Sequence, residues 1–317
     1  MTRLASFLHL LAAALIATPA LTHAAPFAYV PNEGSGTVSV IDTATDQVVA
    51  DIPAGKKPRG VAVGADNHWL YVSDQPNNRL QLIDLRKRTL DGSIALGESP
   101  EGVYISPDGR WVAAAIEEGN DVAITDARTN KLAFVIKVQG RNPEHAVFSP
   151  DGSKLFVSAE DGDAVDIIDF KARKQVAQVP VGARPRGIGF LPDSSRAYVA
   201  AENSNEVYVI DTTTHKITAR IKAGLRANGI AVHPDGSRVY VSNGGDASVS
   251  VIDSATNAVV ATVPVGQRPW NMALTPDGKK LYVANGRSNS VSVIDTVQNT
   301  KLRDVAVGKL PWGVVIK

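Results

Sequence analysis

Seven aspartates set the terms for any fold this chain can adopt. Each closes a run rich in valine, isoleucine or leucine, at Asp42, Asp84, Asp126, Asp169, Asp211, Asp253 and Asp295, with successive spacings of 42, 42, 43, 42, 42 and 42 residues. A period of that length marks a repeat architecture, in which each unit is too small to bury its own apolar face and must stack on its neighbours. Nothing between the copies resembles a linker or a low-complexity tract, so the repeats form one domain over residues 25–317.

Each copy is punctuated into four short runs. In the sixth they are "NMALT" from Asn271, "KLYVAN" from Lys280, "SVSVID" from Ser290 and "KLRDVAV" from Lys301, all bounded by Gly, Asn, Asp or Pro. These are strand signals. The separators carry turn chemistry, as in "PDG" at Pro276–Gly278, where Pro presets one φ angle and Gly accepts a positive one. Four strands per unit, seven units and no helical periodicity predict an all-β fold, a seven-bladed β-propeller of four-stranded blades. The chain opens, at "FAYV" from Phe27, on what matches a second strand, and stops, at "GVVIK" from Gly313, on what matches a first strand. One blade is therefore expected to be shared, its inner strand from the C-terminus and its other three from the N-terminus.

The runs "LYVAN", "NSVSVID" and "VAVG", with "VYVSN", "ASVSVID" and "VPVG" in the preceding copy, resemble the YVTN-type β-propeller repeat across the whole mature chain. More narrowly, "RPWNMALTPDGKKLYVANGRSNSVSVIDT" followed by "VGKLPWGVVI" is similar to the exported seven-repeat propellers associated with PQQ-dependent catabolism of alcohols. The resemblance implies a setting beside periplasmic quinoprotein dehydrogenases and a transport operon. The implied partner is a small molecule or a periplasmic protein, such as a dehydrogenase or a transport component. It supplies no catalytic residues. The Gly-His and Trp-Asp signatures of WD40 repeats are missing.

Compartment is read from the first residues. Arg3 precedes an apolar run from Phe7 to Ile16 and a small-residue site, Thr22–Ala24, which reads as a secretory signal peptide cut after Ala24 and predicts a periplasmic product. The run is too short to span a bilayer, so no membrane insertion is expected. Among 317 residues there are no cysteines, which excludes disulfides, thiolate metal sites and c-type haem attachment. A formal net charge of +1 implies no nucleic-acid partner.

The repeats separate scaffold from variable surface. The seven aspartates precede turns, where a short carboxylate accepts backbone N–H bonds, so they are read as structural. The glycine loops "GKKP", "GESP", "GRNP", "GARP", "GLRA", "GQRP" and "GKLP" lead into inner strands, and the residue after each faces the mouth of the central channel. There the repetition stops: the slot holds Arg59, Glu101, Glu144, Arg186, Asn228, Trp270 and Trp312. One position further, five copies have Gly, but the others have His145 and Asn271. These nine residues are the candidate ligand- or partner-binding site, since function concentrates on loops held by a rigid frame.

From each glycine through its mouth residue the seven loops hold nine Lys or Arg against three Glu. The loops between second and third strands, on the same face, are acidic, with Glu33, Glu117, Glu160 and Glu202 among them. Two readings stay open: basic rim and acidic ring pair internally, or the mouth attracts an anionic or mixed-charge ligand. Trp270, Trp312 and Arg59 occupy neighbouring slots across the ring closure and suggest an aromatic and cationic arc facing Glu101 and Glu144, although two indoles near an axis can equally plug it. Trp69 and Trp111 open second strands on the opposite face and are assigned to packing.

Sharper chemistry does not emerge. "EDGDAVD" from Glu160 lacks the closing Glu of a calcium loop, and the histidines show no metal spacing. His145 alone sits beside the mouth, as a general base or as a hydrogen-bonded His. No catalytic residue, cofactor or metal site is assigned. Two classes remain, a binding or accessory propeller and a propeller enzyme of the lactonase or quinoprotein type. The mouth's mixture of Arg, Trp and Glu, in place of carboxylates and histidines converging on a metal, favours binding.

Overall fold

The computed structural model describes residues 26–317, and the expected signal peptide lies outside the described residues. Twenty-eight strands form seven four-stranded antiparallel sheets, with only two three-residue 3₁₀ turns, at Gln75–Asn77 and Glu160–Gly162. The chain is a seven-bladed β-propeller. The sixth repeat shows the blade plan: Pro269–Leu274 lies innermost, followed by Lys280–Asn285, Ser290–Asp295 and, outermost, Thr300–Ala306. No helix among the described residues is long and apolar enough to cross a membrane.

The burial pattern explains the composition of each strand. Second and third strands are covered on both faces by neighbouring blades and read as near-continuous Val, Ile, Leu, Ala and Tyr, whereas outer strands alternate and bury one strong anchor. Those anchors are Ile52, Ile94, Ile136, Val179, Ile221, Val263 and Val305. The core is thus seven clusters between blades, each joining residues of two adjacent repeats. Tyrosines of the second strands add a polar clamp. The Tyr71 hydroxyl donates to Asn130 Oδ1 at 2.7 Å, Tyr198 to Asn257 Oδ1 at 3.0 Å, and Tyr282 to the Asp46 carboxylate, in each case on the outer turn of the next blade. Those acceptors have φ of 53°, 54° and 55°, a backbone region that Asn and Asp tolerate best, so one side chain both forms the turn and receives the clamp.

All seven repeat aspartates do what was expected of them: each accepts a backbone amide within the turn that follows it. The shared blade also closes as expected. Val315–Ile316 is the inner partner of Phe27–Asn32, with Ala28 opposite Ile316 and Tyr29 opposite Val315. The Phe27 amide donates to the Lys317 carbonyl at 3.0 Å, the Lys317 amide returns to Phe27 at 3.1 Å, and Trp312 N–H reaches Pro31 at 2.9 Å. Trp69 and Trp111 pack as assigned: Trp69 stacks on His68 at 4.5 Å, and Trp111 meets Phe134 and Phe170 edge-on at 5.6 and 6.2 Å.

Candidate functional site

Inner strands crowd the axis, and this explains the glycine that follows most mouth residues. A Cβ at Gly60 would lie 2.2 Å from the Glu101 carbonyl oxygen, one at Gly187 2.7 Å from that of Asn228, and one at Gly229 2.5 Å from that of Trp270. The two exceptions fill the axis. The His145 ring lies 5.5 Å from that of Trp312 and its Nδ1 is 2.7 Å from the Tyr104 hydroxyl; the Asn271 backbone N–H donates to the Trp312 carbonyl at 3.3 Å, and its side chain lies against Gly313, where a Cβ would be 3.2 Å from that of Asn271. Trp312 and Asn271 border both a charged cavity of about 280 Å³ at the mouth and an apolar one of about 320 Å³ behind it, walled by Val103, Ile188, Ile230 and Met272. The central channel is therefore partitioned.

The charges at the mouth pair internally. Arg59 binds Glu101 and, at 3.3 Å, Glu33. Arg186 reaches Glu144 at 2.6 Å, Glu160 at 2.9 Å and Glu202 at 3.0 Å. Arg184 binds Glu160, and Glu202 also receives Arg184 and Arg226 at 3.3 Å and Arg268 at 2.7 Å. Glu101, Glu144, Glu160 and Glu202 are all buried. Such an array is held by mutual compensation, because desolvating any one charge alone is costly. Burial and the neighbouring Glu144 push the Glu101 carboxyl well above the usual carboxylate range. Glu144 goes the other way: burial opposes its charge, but Arg186, His145 and Arg59 hold it low.

One regularity escaped the sequence reading. The first residue past each second strand is a single slot, occupied by Glu33, Gln75, Glu117, Glu160, Glu202, Gly244 and Gly286. Five copies supply a polar side chain to the mouth. The two glycines make room instead: a Cβ at Gly286 would lie 2.7 Å from the Trp270 ring, and one at Gly244 2.7 Å from Arg268 Nη1. Arg268 in turn sits over the Trp270 ring at 6.0 Å. The signal was available as two glycines breaking an acidic column, but only contact geometry shows what they accommodate.

The structure accordingly divides the expected aromatic arc. Trp270 is half-buried on the wall of the mouth cavity, Trp312 is 8% exposed and turned onto His145, and Arg59 is committed to Glu101 and Glu33 in place of backing the indoles. Arg59, Glu144, Arg186, Asn228, Trp270, Asn271 and Trp312 line the cavity, and Glu101 lies beneath its wall. Glu160 of "EDGDAVD" belongs to this array, whereas Asp163 instead accepts the Arg184 amide at 2.9 Å. The other described histidines lie apart, His68 on Asp84 at 3.3 Å, His233 on Asp235 at 2.6 Å, and His215 in an outer turn where its backbone N–H donates to the Asp211 carbonyl at 2.9 Å.

His145 is 1% exposed, and burial, opposed by Glu144 and reinforced by Arg186, lowers it from 6.5 to about 4. The unfolded chain therefore takes up this proton first, so its contribution to stability is full above about pH 6.5 and falls as pH drops towards 4. A shift of that size is worth on the order of 3 kcal/mol at the acid end. His145→Asn, the residue Asn271 already provides in the equivalent position, should flatten the pH dependence of denaturant midpoints between pH 7 and 4 relative to the parent. Parallel profiles for the two proteins would show that this imidazole is not held neutral.

A family model described as YNCE-like beta-propeller matches residues 4–317. No curated protein sequence matches the chain significantly. Among solved structures it is similar to Kuenenia stuttgartiensis hydrazine synthase, at 23% identity and a TM-score of 0.77 over 90% of this chain and 99% of that one. It is also similar to a protein of unknown function from Desulfotomaculum acetoxidans, at 19% identity and a TM-score of 0.81 over 92% and 98% of the two chains. A candidate 6-phosphogluconolactonase from Bacteroides uniformis matches at 20% identity and a TM-score of 0.76 over 92% and 99%. Likenesses at these identities describe a shared fold.

Proposed function

We propose, from the premise that this chain belongs to the YNCE-like β-propeller family, that it is an exported binding protein. In this reading its channel mouth takes a small molecule or a protruding group of a periplasmic partner. The leader, with cleavage after Ala24, supports export. Resemblance to the PQQ-associated propellers supports an accessory role in alcohol catabolism, with a quinoprotein dehydrogenase or a transport component as the partner protein.

One observation carries the reading. Where the repeats stop agreeing, the chain has cleared space with Gly286 for a half-exposed indole, Trp270, beside the Arg268 guanidinium and over a cavity of about 280 Å³. A flat aromatic face next to a guanidinium suits an aromatic or anionic group. Lactone hydrolysis or quinoprotein-like oxidation, by contrast, has the fold alone in its support.

The two indoles now separate in a test. Trp270→Ala should leave the melting temperature nearly unchanged while abolishing binding. That signal is read as thermal shifts with a panel of aromatic carboxylates and as capture of partners from periplasmic extract of alcohol-grown cells. Trp312→Ala should remove roughly 3 kcal/mol of stability, because it empties a packed position on the axis. Equal ligand responses from the parent and Trp270→Ala would remove the mouth from consideration.

A further inference from the structure

The mouth holds an imbalance that its ion pairs do not resolve. Four guanidiniums surround Glu202, but on the opposite side the carboxylates outnumber the arginines. Glu101, Glu117 and Glu144 each offer an oxygen, and the three oxygens lie within 4.8 Å of one another. Arg59 is divided between Glu101 and Glu33, Arg186 among Glu144, Glu160 and Glu202, and Glu117 makes no ion pair among the described residues. Glu117 accepts only the Ser99 hydroxyl.

A second observation points at this cluster independently of its charge. Glu101 is fully buried, and its Oε1 takes both available donors, Arg59 Nη1 and Gln75 Nε2 at 3.0 Å, while its Oε2 has none. A buried carboxylate oxygen without a partner is costly and rare. The carboxyl is therefore half held by the protein and half left over, beneath the wall of a cavity that Glu117 and Glu144 line.

We propose that Glu101, Glu117 and Glu144 form a binding site for a divalent cation of the Ca²⁺ type. Calcium takes oxygen ligands at 2.3–2.6 Å, so ligands on opposite sides of the ion stand about 4.6–5.2 Å apart, and the three carboxylates fit within one coordination sphere. Glu101 uses Oε2 and keeps Oε1 on Arg59, Glu117 and Glu144 approach from the cavity side, and solvent in the cavity completes the shell. The set is invisible to motif reading because its members come from two inner strands and one loop of two adjacent blades. The proposal concerns the ion alone and stands or falls apart from any organic ligand.

Calcium titration of the metal-stripped mature protein by calorimetry tests it, with terbium luminescence excited through tryptophan as a second readout. One ion per chain is expected. Glu117→Gln, a partly exposed position that should fold normally, and Glu101→Gln, which keeps shape and removes charge, should each weaken binding at least tenfold, whereas exposed Glu118→Gln should not. No binding up to about 10 mM calcium, roughly tenfold above the weakest extracellular calcium modules, would overturn the site. So would binding that survives both variants once circular dichroism shows them folded.

Discussion

Deleting Gly313–Lys317 is expected to lower the melting temperature by more than about 10 °C or to prevent folding, a loss out of scale with five residues. The segment buries Val314 and partly buries Val315 and Ile316 in the clusters on either side of the shared blade; full burial of such a side chain is worth about 1.5–3 kcal/mol, and partial burial a share of that. It also supplies the inner strand paired with Phe27–Asn32, so its removal leaves only the contacts of Pro311 and Trp312 at the far end and uncovers a strand edge facing the channel. Against a total of about 5–15 kcal/mol for an ordinary domain, several kcal/mol is decisive. A thermal melt of the truncated chain that overlays the parent would show that the ring does not depend on this strand.

Arg186→Ala should cost about 3–5 kcal/mol, because it removes the one ion-pair partner that buried Glu144 has among the described residues and one of those shared by buried Glu160 and Glu202. The exposed Arg79→Ala is the control and should stay within about 0.5 kcal/mol. The pH dependence gives the mechanism away. Burial and the neighbouring Glu144 already hold the Glu160 carboxyl raised to about 7 with Arg186 opposing them; without the guanidinium it rises further, so the variant loses more stability than the parent as pH increases from 5 to 8. Chemical denaturation at both pH values reads this directly. A deficit equal at pH 5 and pH 8 would mean that Arg186 acts through packing and not through charge.

The frame was legible because its determinants are local and repeated. A turn aspartate, a Pro-Asp-Gly corner and an alternating outer strand each act within a few residues, and seven copies average away the exceptions. Closure was legible too, since the first and last runs match different strands of one unit. The mouth was legible only as a set of positions. Which charges pair depends on side chains from different blades: Arg59 and Glu101 are 42 residues apart, and Arg268 and Glu202 66. The fate of the two indoles turned on neighbours with no side chain at all. Gly286 leaves Trp270 a shelf, while Trp312 meets His145 across the axis, and both contacts join distant parts of the chain.

The pairing of the two chain ends has a consequence in time. Among the described strands Phe27–Asn32 is made first and Val315–Ile316 last, so the first blade waits for its innermost member until the other six blades have been made. At elongation rates of about 5–20 residues per second, that wait is roughly 15–60 s. Throughout it the ring can be no more than an arc with two sticky ends, and a second unfinished molecule nearby offers the same strand to the same gap. Fidelity of assembly then rests on how fast one molecule's tail finds its own head, which makes local concentration and chaperone occupancy, as much as sequence, determinants of yield.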